Sequence, residues 1–508
     1  MRQSHCKQNN LSSITQIIVV MAMAALVIGM VVPAWGAKLD VILEWNAVAL
    51  QVNVIDHSGV DTPGNLLSDT QGPPASARVL ALVHAAMFDA YNSVDRRYTP
   101  YLLQVSKAQS ASADAAVAQA AHDVVVGLFP GNDAPRPTIR ALVDAALQQT
   151  LSRVTSRSKK AKGIAVGEAV AQAILASRTS DAAFLGGNYT PTGAIGNHNV
   201  DPKNPGQSFI SPDIGSLPLF GVASVAPYRA PTPPTFASLE YAMALEEVER
   251  LGEFRGGTTG AVPTNDESYV IANYWSYNGS PWIGTPPRLY NQIARLIATK
   301  RKNKVHENAR LFALLNIALG DAGISAWDSK YTYAYWRPIL GIRNADIDGN
   351  SLTDPFFDPT WCALGGSRSN PFPGEQNFTP PFPAYTSGHA TFGASVFKTL
   401  ANFYQKDNIS FAFISDEWNG TTLDQFNRMR PLVQRYYDSF SYAAAENAAS
   451  RVFNGVHWRY DGSEGVRAGY GIANEVFDTL LRPTRGQAPT SIPDPDFEAQ
   501  IAAILEAY

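Results

Sequence analysis

The chain has 508 residues, 45% of them hydrophobic and 17% charged, with a formal net charge of −4 at pH 7. That is enough apolar material for a large core without metal or disulfide staples, and the 38 glycines and 34 prolines are too near average for a collagen-like or low-complexity chain. Two cysteines exclude a disulfide scaffold, and the slight acidity excludes the basic field of a nucleic-acid binder.

Residues 1–36 read as an export leader. Arg2 and Lys7 form a positive start, and an apolar run follows from Ile17 to Val32. Pro33-Ala34-Trp35-Gly36-Ala37 then supplies the small residues that suit cleavage after Gly36. An uncleaved anchor is the weaker reading, because spanning a bilayer takes about 20 apolar residues. Cleavage removes Cys6 and leaves Cys362 alone, so no internal disulfide forms. The mature chain is expected in the periplasm or outside the cell, without stable membrane insertion.

Helical periodicity, with apolar residues three and four apart among good helix formers, predicts helices over 77–94, 111–129, 138–154, 160–177, 238–253, 288–300, 307–327, 389–404, 436–453 and 464–481. Alternating β-branched runs are nearly absent, so the expected class is all-α. Two proline-rich stretches interrupt the helices, 182–236 with nine prolines and 344–386 with seven. Loops of that length are usually functional or linkers. The first reads as a linker between two helical halves; the second runs into a histidine-bearing helix and is a candidate for shaping a site.

Three segments carry the chemistry. In the first, Lys330 and Arg337 stand seven apart, two turns of a helix, among Trp327, Tyr333, Tyr335 and Trp336. Aromatic company implies burial, where cations need partners. In the second, a proline-rich loop ends at Thr386-Ser387-Gly388-His389. Ser387 suits an N-cap there, and a helix start with an accessible Gly388 N–H suits an anion. The third holds Ser450-Arg451, then His457, then Asp461 four residues on, placed to orient the imidazole. Singly, each segment has an ordinary structural explanation. Together they supply one Lys, two Arg, a Ser, a helix-starting Gly and two His for an oxyanion.

In order and internal spacing these blocks resemble the superfamily of vanadium-dependent haloperoxidases and type 2 phosphatidic acid phosphatases: Lys-x6-Arg-Pro, (Pro)-Ser-Gly-His, and Ser-Arg-x5-His-x3-Asp. Thr386 in place of the usual proline is the one departure. The resemblance implies two packed four-helix bundles, with residues 37–235 as an N-terminal bundle plus linker and 236–508 as the catalytic bundle. On the peroxidase branch it implies vanadate as cofactor, with His457 as its axial ligand. Lys330, Arg337, Ser387, Gly388 and Arg451 would hold its oxygens, and His389 would act as acid–base. On the phosphatase branch His457 would be the nucleophile and His389 the acid, with no metal.

The chain's length, an N-terminal half like that of the chloroperoxidase-type enzymes at 77–91, and Trp327 and Phe382 at the places of a halide pocket favour the peroxidase. The expectation is oxidation of bromide, and of chloride as well, by hydrogen peroxide, with halogenation of small organic substrates. An envelope phosphate- or vanadate-binding protein is a third reading, which the acid–base group His389 disfavours. The oxygen-rich stretch 346–354 lacks the glycine and glutamate positions of a calcium loop. His57, His84, His122, His198 and His306 have no metal-ligand spacing and read as surface or core residues. Arg343 and Arg459 read as added positive potential or surface ion pairs, Asp266 or Glu267 as a brace for an arginine, and Cys362 as unreactive.

Overall fold

The computed structural model describes residues 40–508 apart from 63–64, 68–69, 71, 134, 255–265 and 372–374. The expected leader, with Cys6, lies outside the described residues. Among the described residues there are fourteen helices and two small hairpins. The first five helices are α1 (Val41–Asp56), α2 (Pro73–Asp95), α3 (Ala113–Leu128), α4 (Arg136–Arg153) and α5 (Arg157–Ala176), which pack on one another. After the long irregular stretch come α6 (Leu239–Leu251), α7 (Glu267–Tyr274), α8 (Pro286–Arg301), α9 (Val305–Tyr333), α10 (Pro338–Arg343), α11 (Gly388–Tyr404), α12 (Phe440–Phe453), α13 (Arg459–Thr479) and α14 (Phe497–Glu506).

Helix α9 joins the two groups. It packs against α2 on one side and against α11 and α13 on another. By length and composition it could cross a membrane, but its apolar stretch is wholly buried inside the fold, as a core helix must be. Five of the helix starts have a common cause. Ser112, Ser156, Ser238, Ser387 and Ser439 each accept a hydrogen bond from a first-turn N–H, replacing the missing intrahelical acceptor.

Three sequence expectations change. The class is mainly helical rather than all-α, because β3 (Phe411–Asn419) and β4 (Leu432–Tyr437) form an antiparallel pair, as do β1 (Gly59–Thr62) and β2 (Asn65–Leu67). The inner face of β3 alternates Phe411, Phe413, Ser415 and Glu417. Its polar half hides the pattern, since Ser415 is satisfied by the Tyr274 carbonyl and Glu417 by Arg430 at 2.6 Å. The helix expected from 436 starts at Phe440, because Tyr436 and Tyr437 belong to β4. Finally, Lys330 and Arg337 do not share a helix. Ala334 takes a left-handed φ of 46° that ends α9, and Arg337 precedes Pro338, which keeps it extended at φ −81°, ψ 156°.

The stretch 182–236 does more than link. Asp321, on α9, accepts the N–H groups of Phe220, Gly221 and Val222 at 2.7–2.9 Å. Further along, His198 N–H donates to the Ala334 carbonyl at 2.7 Å and Ile210 N–H to the Pro381 carbonyl at 3.1 Å. The stretch therefore lies across the end of α9 and the second proline-rich loop.

Helices α11 and α13 approach closely because α13 presents Gly465 and Gly469. A β-carbon on Gly465 would sit 2.9 Å from the Ser387 carbonyl, and one on Gly469 would collide with the Thr391 carbonyl. That contact fixes the start of α11. Replacing Gly469 with Ala should overpack the contact and destabilise the protein by about 1–3 kcal/mol, read as a lower denaturation midpoint in chemical unfolding.

Candidate functional site

The three sequence blocks converge on the start of α11. Lys330, on the last turn of α9, is fully buried and donates to the carbonyls of Pro383 and Ala384 at 2.9 Å each, and to that of Thr386. Its Nζ also lies 5.6 Å from the Trp327 ring centre and 5.2 Å from that of Phe382. Burial, with Arg337 nearby, pulls its pKa well below the usual amine range. Three carbonyl acceptors nevertheless require three N–H donors, which only the ammonium provides. Lys330 thus pins the loop 383–386.

Arg337 is also fully buried. Its Nε donates to the Phe382 carbonyl at 2.9 Å and its Nη1 to the Val456 carbonyl at 2.8 Å, with Nη1 also 2.9 Å from His457 Nε2. Arg451, on the last turn of α12, reaches Asn454 Oδ1 at 2.9 Å through Nη1 and Asn278 Oδ1 at 3.5 Å through Nη2. Burial lowers the two guanidinium pKa values to about 9 and about 10, which leaves both charged at neutral pH. Arg337 Nη2 and Arg451 Nε are buried donors without a partner among the described residues.

The two histidines have defined tautomers. His457 Nδ1 lies 2.7 Å from Asp461 Oδ2, and its Nε2 faces the Arg337 donor, so the proton sits on Nδ1 and the lone pair on Nε2. Asp461 is held in turn by the Trp458 N–H at 3.1 Å, and burial raises its pKa to about 7 against the pull of Lys330 and Arg337. His389 Nε2 donates to the Ser276 carbonyl at 2.6 Å, leaving Nδ1 as the nitrogen that can take a proton. Burial first, then the neighbouring cations, pull both imidazole pKa values well below the usual range. Both rings are therefore neutral.

Ser387 caps α11 by accepting from the Ala390 N–H at 3.4 Å, so its hydroxyl hydrogen remains free to donate elsewhere. Gly388 opens the helix, where the first N–H groups have no acceptor within it. A β-carbon at Gly388 would lie 3.1 Å from the Trp327 ring. Trp327 and Phe382 pack with ring centres 4.7 Å apart, both buried.

Residues that the sequence does not single out complete the site. Asn447 Nδ2 and the Tyr290 hydroxyl both donate to the His389 carbonyl, at 2.7 and 3.0 Å. The segment after α7 supplies the Ser276 carbonyl to His389 and Asn278 to Arg451. No spacing signals these contacts, since they come from other helices. Of the two candidate braces, Glu267 pairs with an arginine, Arg435, while Asp266 caps α7; Arg459 forms an ion pair with Glu247, and Arg343 bonds the Trp361 carbonyl at 2.8 Å. Cys362 is free, near Arg343.

Comparison with known proteins identifies the family. The family model for the vanadium chloroperoxidase N-terminal domain matches residues 37–231, and that for the second helical-bundle domain of the same enzymes matches 310–486. Vanadium chloroperoxidase from Curvularia inaequalis is 31% identical over 494 residues, covering 83% of this chain and 78% of its own. The chain belongs to the vanadium chloroperoxidase family. It is a vanadium-dependent haloperoxidase, and the family's chemistry implies peroxide and halide as its substrates. Among solved structures, a bacterial vanadium-dependent iodoperoxidase shares the fold with a TM-score of 0.67, at 21% identity, over 88% of this chain and 100% of that one. The holo form of a bacterial vanadium-dependent chloroperoxidase gives 0.58 at 14% identity, over 80% and 91%. In this haloperoxidase Asp461 holds the His457 tautomer. Asp461→Ala should therefore weaken binding of inorganic phosphate, an oxyanion probe, by roughly 10–100-fold, measured by isothermal titration calorimetry.

Proposed function

We propose that this haloperoxidase binds vanadate at the start of α11 and uses it to oxidise bromide, and chloride as well, with hydrogen peroxide, so halogenating small organic substrates. The observation that carries the proposal is the pair of buried, unpartnered guanidinium donors, Arg337 Nη2 and Arg451 Nε, in a cluster of three buried cations. Buried donors without acceptors are costly, and a multiply charged oxyanion meets the need of both.

In this reading Arg337, Arg451, the Ser387 hydroxyl and the Gly388 N–H hold the oxyanion's oxygens. His457 Nε2 supplies the ligand lone pair. Lys330 adds its charge, and its present carbonyl partners show that it also shapes the loop. When bound, vanadate supplies a Lewis-acid centre that polarises peroxide toward attack by halide. His389 accepts the peroxide proton at Nδ1, with Nε2 anchored on Ser276. Trp327 and Phe382 form the halide pocket and exclude water, which strengthens the electrostatics there and supports oxidation of chloride as well as bromide.

The same proposal divides the chain into an N-terminal bundle with its linker, 37–235, and a catalytic bundle, 236–508. The organic substrate is small and there is no nucleic-acid partner. Residues 1–36 direct export to the periplasm or beyond, after which the chain is not inserted in a membrane. The mature protein should begin at Ala37, which N-terminal sequencing of the exported product checks; a product that retains residues 1–36 would contradict cleavage.

The enzyme should brominate a phenol dye only after vanadate is added, and His457→Ala should abolish that activity. Hydrolysis of an aryl phosphate that vanadate inhibits, without bromination, would instead favour a metal-free phosphatase using His457 as nucleophile. Chloride that yields no product at acidic pH, where bromide does, would overturn the chloride part alone.

A further inference from the structure

Among the described residues, His198 is the one histidine near this site that the reaction leaves unused. It is 2% exposed, and neither ring nitrogen has a hydrogen-bond partner among the described residues. A neutral imidazole carries one donor and one acceptor, and buried polar groups rarely go unpaired. The surrounding backbone fixes its place. Trp336 N–H donates to the Gly196 carbonyl at 3.0 Å and His198 N–H to the Ala334 carbonyl, so residues 196–198 run beside the 334–336 segment that leads into Arg337. Ile210 N–H bonds the Pro381 carbonyl, one residue before Phe382, and the Tyr331 hydroxyl bonds the Ile210 carbonyl at 2.9 Å. His198 thus stands behind the wall made by Lys330, Arg337 and Phe382, and the charges of Arg337 and Lys330 act on its ring.

Aromatic rings enclose the other side. Phe209 and His198 pack in a T, with centres 5.4 Å apart and planes at 72°, and Tyr189 lies 6.1 Å away. Tyr189 in turn packs on Phe209 at 4.9 Å and on Tyr331 at 5.6 Å. Tyr189, Phe209 and Tyr331 are half-buried, so they separate His198 from solvent by one layer of side chains.

We propose that His198 holds a halide ion on its way from solvent to the oxidation site. A ring N–H gives the ion a donor, and two nearby cations give it a positive potential. Those features favour a small, weakly hydrated anion over water or neutral peroxide, neither of which gains from the field. The inference rests on the reading of Lys330, Arg337 and Phe382 as the place where halide is oxidised.

Crystals of the vanadate-free protein soaked in sodium bromide test it, through anomalous scattering. The wild type should show bromide within hydrogen-bond distance of a His198 ring nitrogen, and His198→Phe should lack it. With vanadate loaded, His198→Phe should raise the KM for bromide about tenfold, the loss of one hydrogen bond to an ion, with kcat and vanadate affinity unchanged. Water alone at His198, or a KM for bromide that the substitution leaves unchanged, overturns the proposal. If the wild type fails to brominate at all, the oxidation-site reading fails, while bromide present or absent at His198 still decides the anion site.

Discussion

Three cations buried together are the constraint on which the rest of this structure depends. Lys330, Arg337 and Arg451 are each at most 1% exposed; Asp461 acts on the first two, and Glu417, itself paired with Arg430, acts on Arg451. Taking such charges out of water costs several kcal/mol apiece unless dipoles or counter-ions replace the lost hydration. The protein supplies dipoles first. Lys330 takes three loop carbonyls, Arg337 those of Phe382 and Val456, and Arg451 two asparagine side chains. What the dipoles leave over is positive potential with unpaired donors, which is the condition for holding an oxyanion tightly.

That constraint accounts for features that otherwise look like irregularity. The loop 344–386 cannot be helical where it serves the site, because its carbonyls at 382, 383, 384 and 386 must turn toward Lys330 and Arg337 instead of along an axis. The glycines of α13 let that helix press on the first turn of α11, so that Ser387, Gly388 and His389 are held by backbone packing and not by side chains alone. The segment 182–236 closes over the back of the same region. Neutral, tautomer-fixed histidines follow from the same field, since an added proton on His389 or His457 would join three cations already buried there.

Much of this was legible in the chain, and for a physical reason. Helix periodicity and capping are local, so the ten expected helices all occur with shifted ends. The blocks around Ser387 and His457 are local too, because an N-cap and a four-residue His–Asp spacing are settled within one turn. Four further helices lie outside the expected set. Among them α1 is apolar on nearly every side, and α7 and α10 are too short for a period to show. The β3–β4 hairpin lies outside it too, because its buried face carries Ser415 and Glu417. The shared helical face expected for Lys330 and Arg337 failed because a left-handed Ala334 and Pro338 break the helix between them. The contacts of Ser276, Asn278, Tyr290 and Asn447 come from tertiary packing and leave no periodic trace.

The account's central claim is that a bound oxyanion completes this charge cluster. Thermal unfolding of the vanadate-free protein, with and without added vanadate, tests it most directly. A ligand that binds only the folded state at about 100 times its Kd stabilises by roughly 2.7 kcal/mol. The account predicts a vanadate-dependent rise in Tm that saturates in the wild type and is lost in Arg451→Ala. An unfolding curve that vanadate leaves unmoved would contradict it.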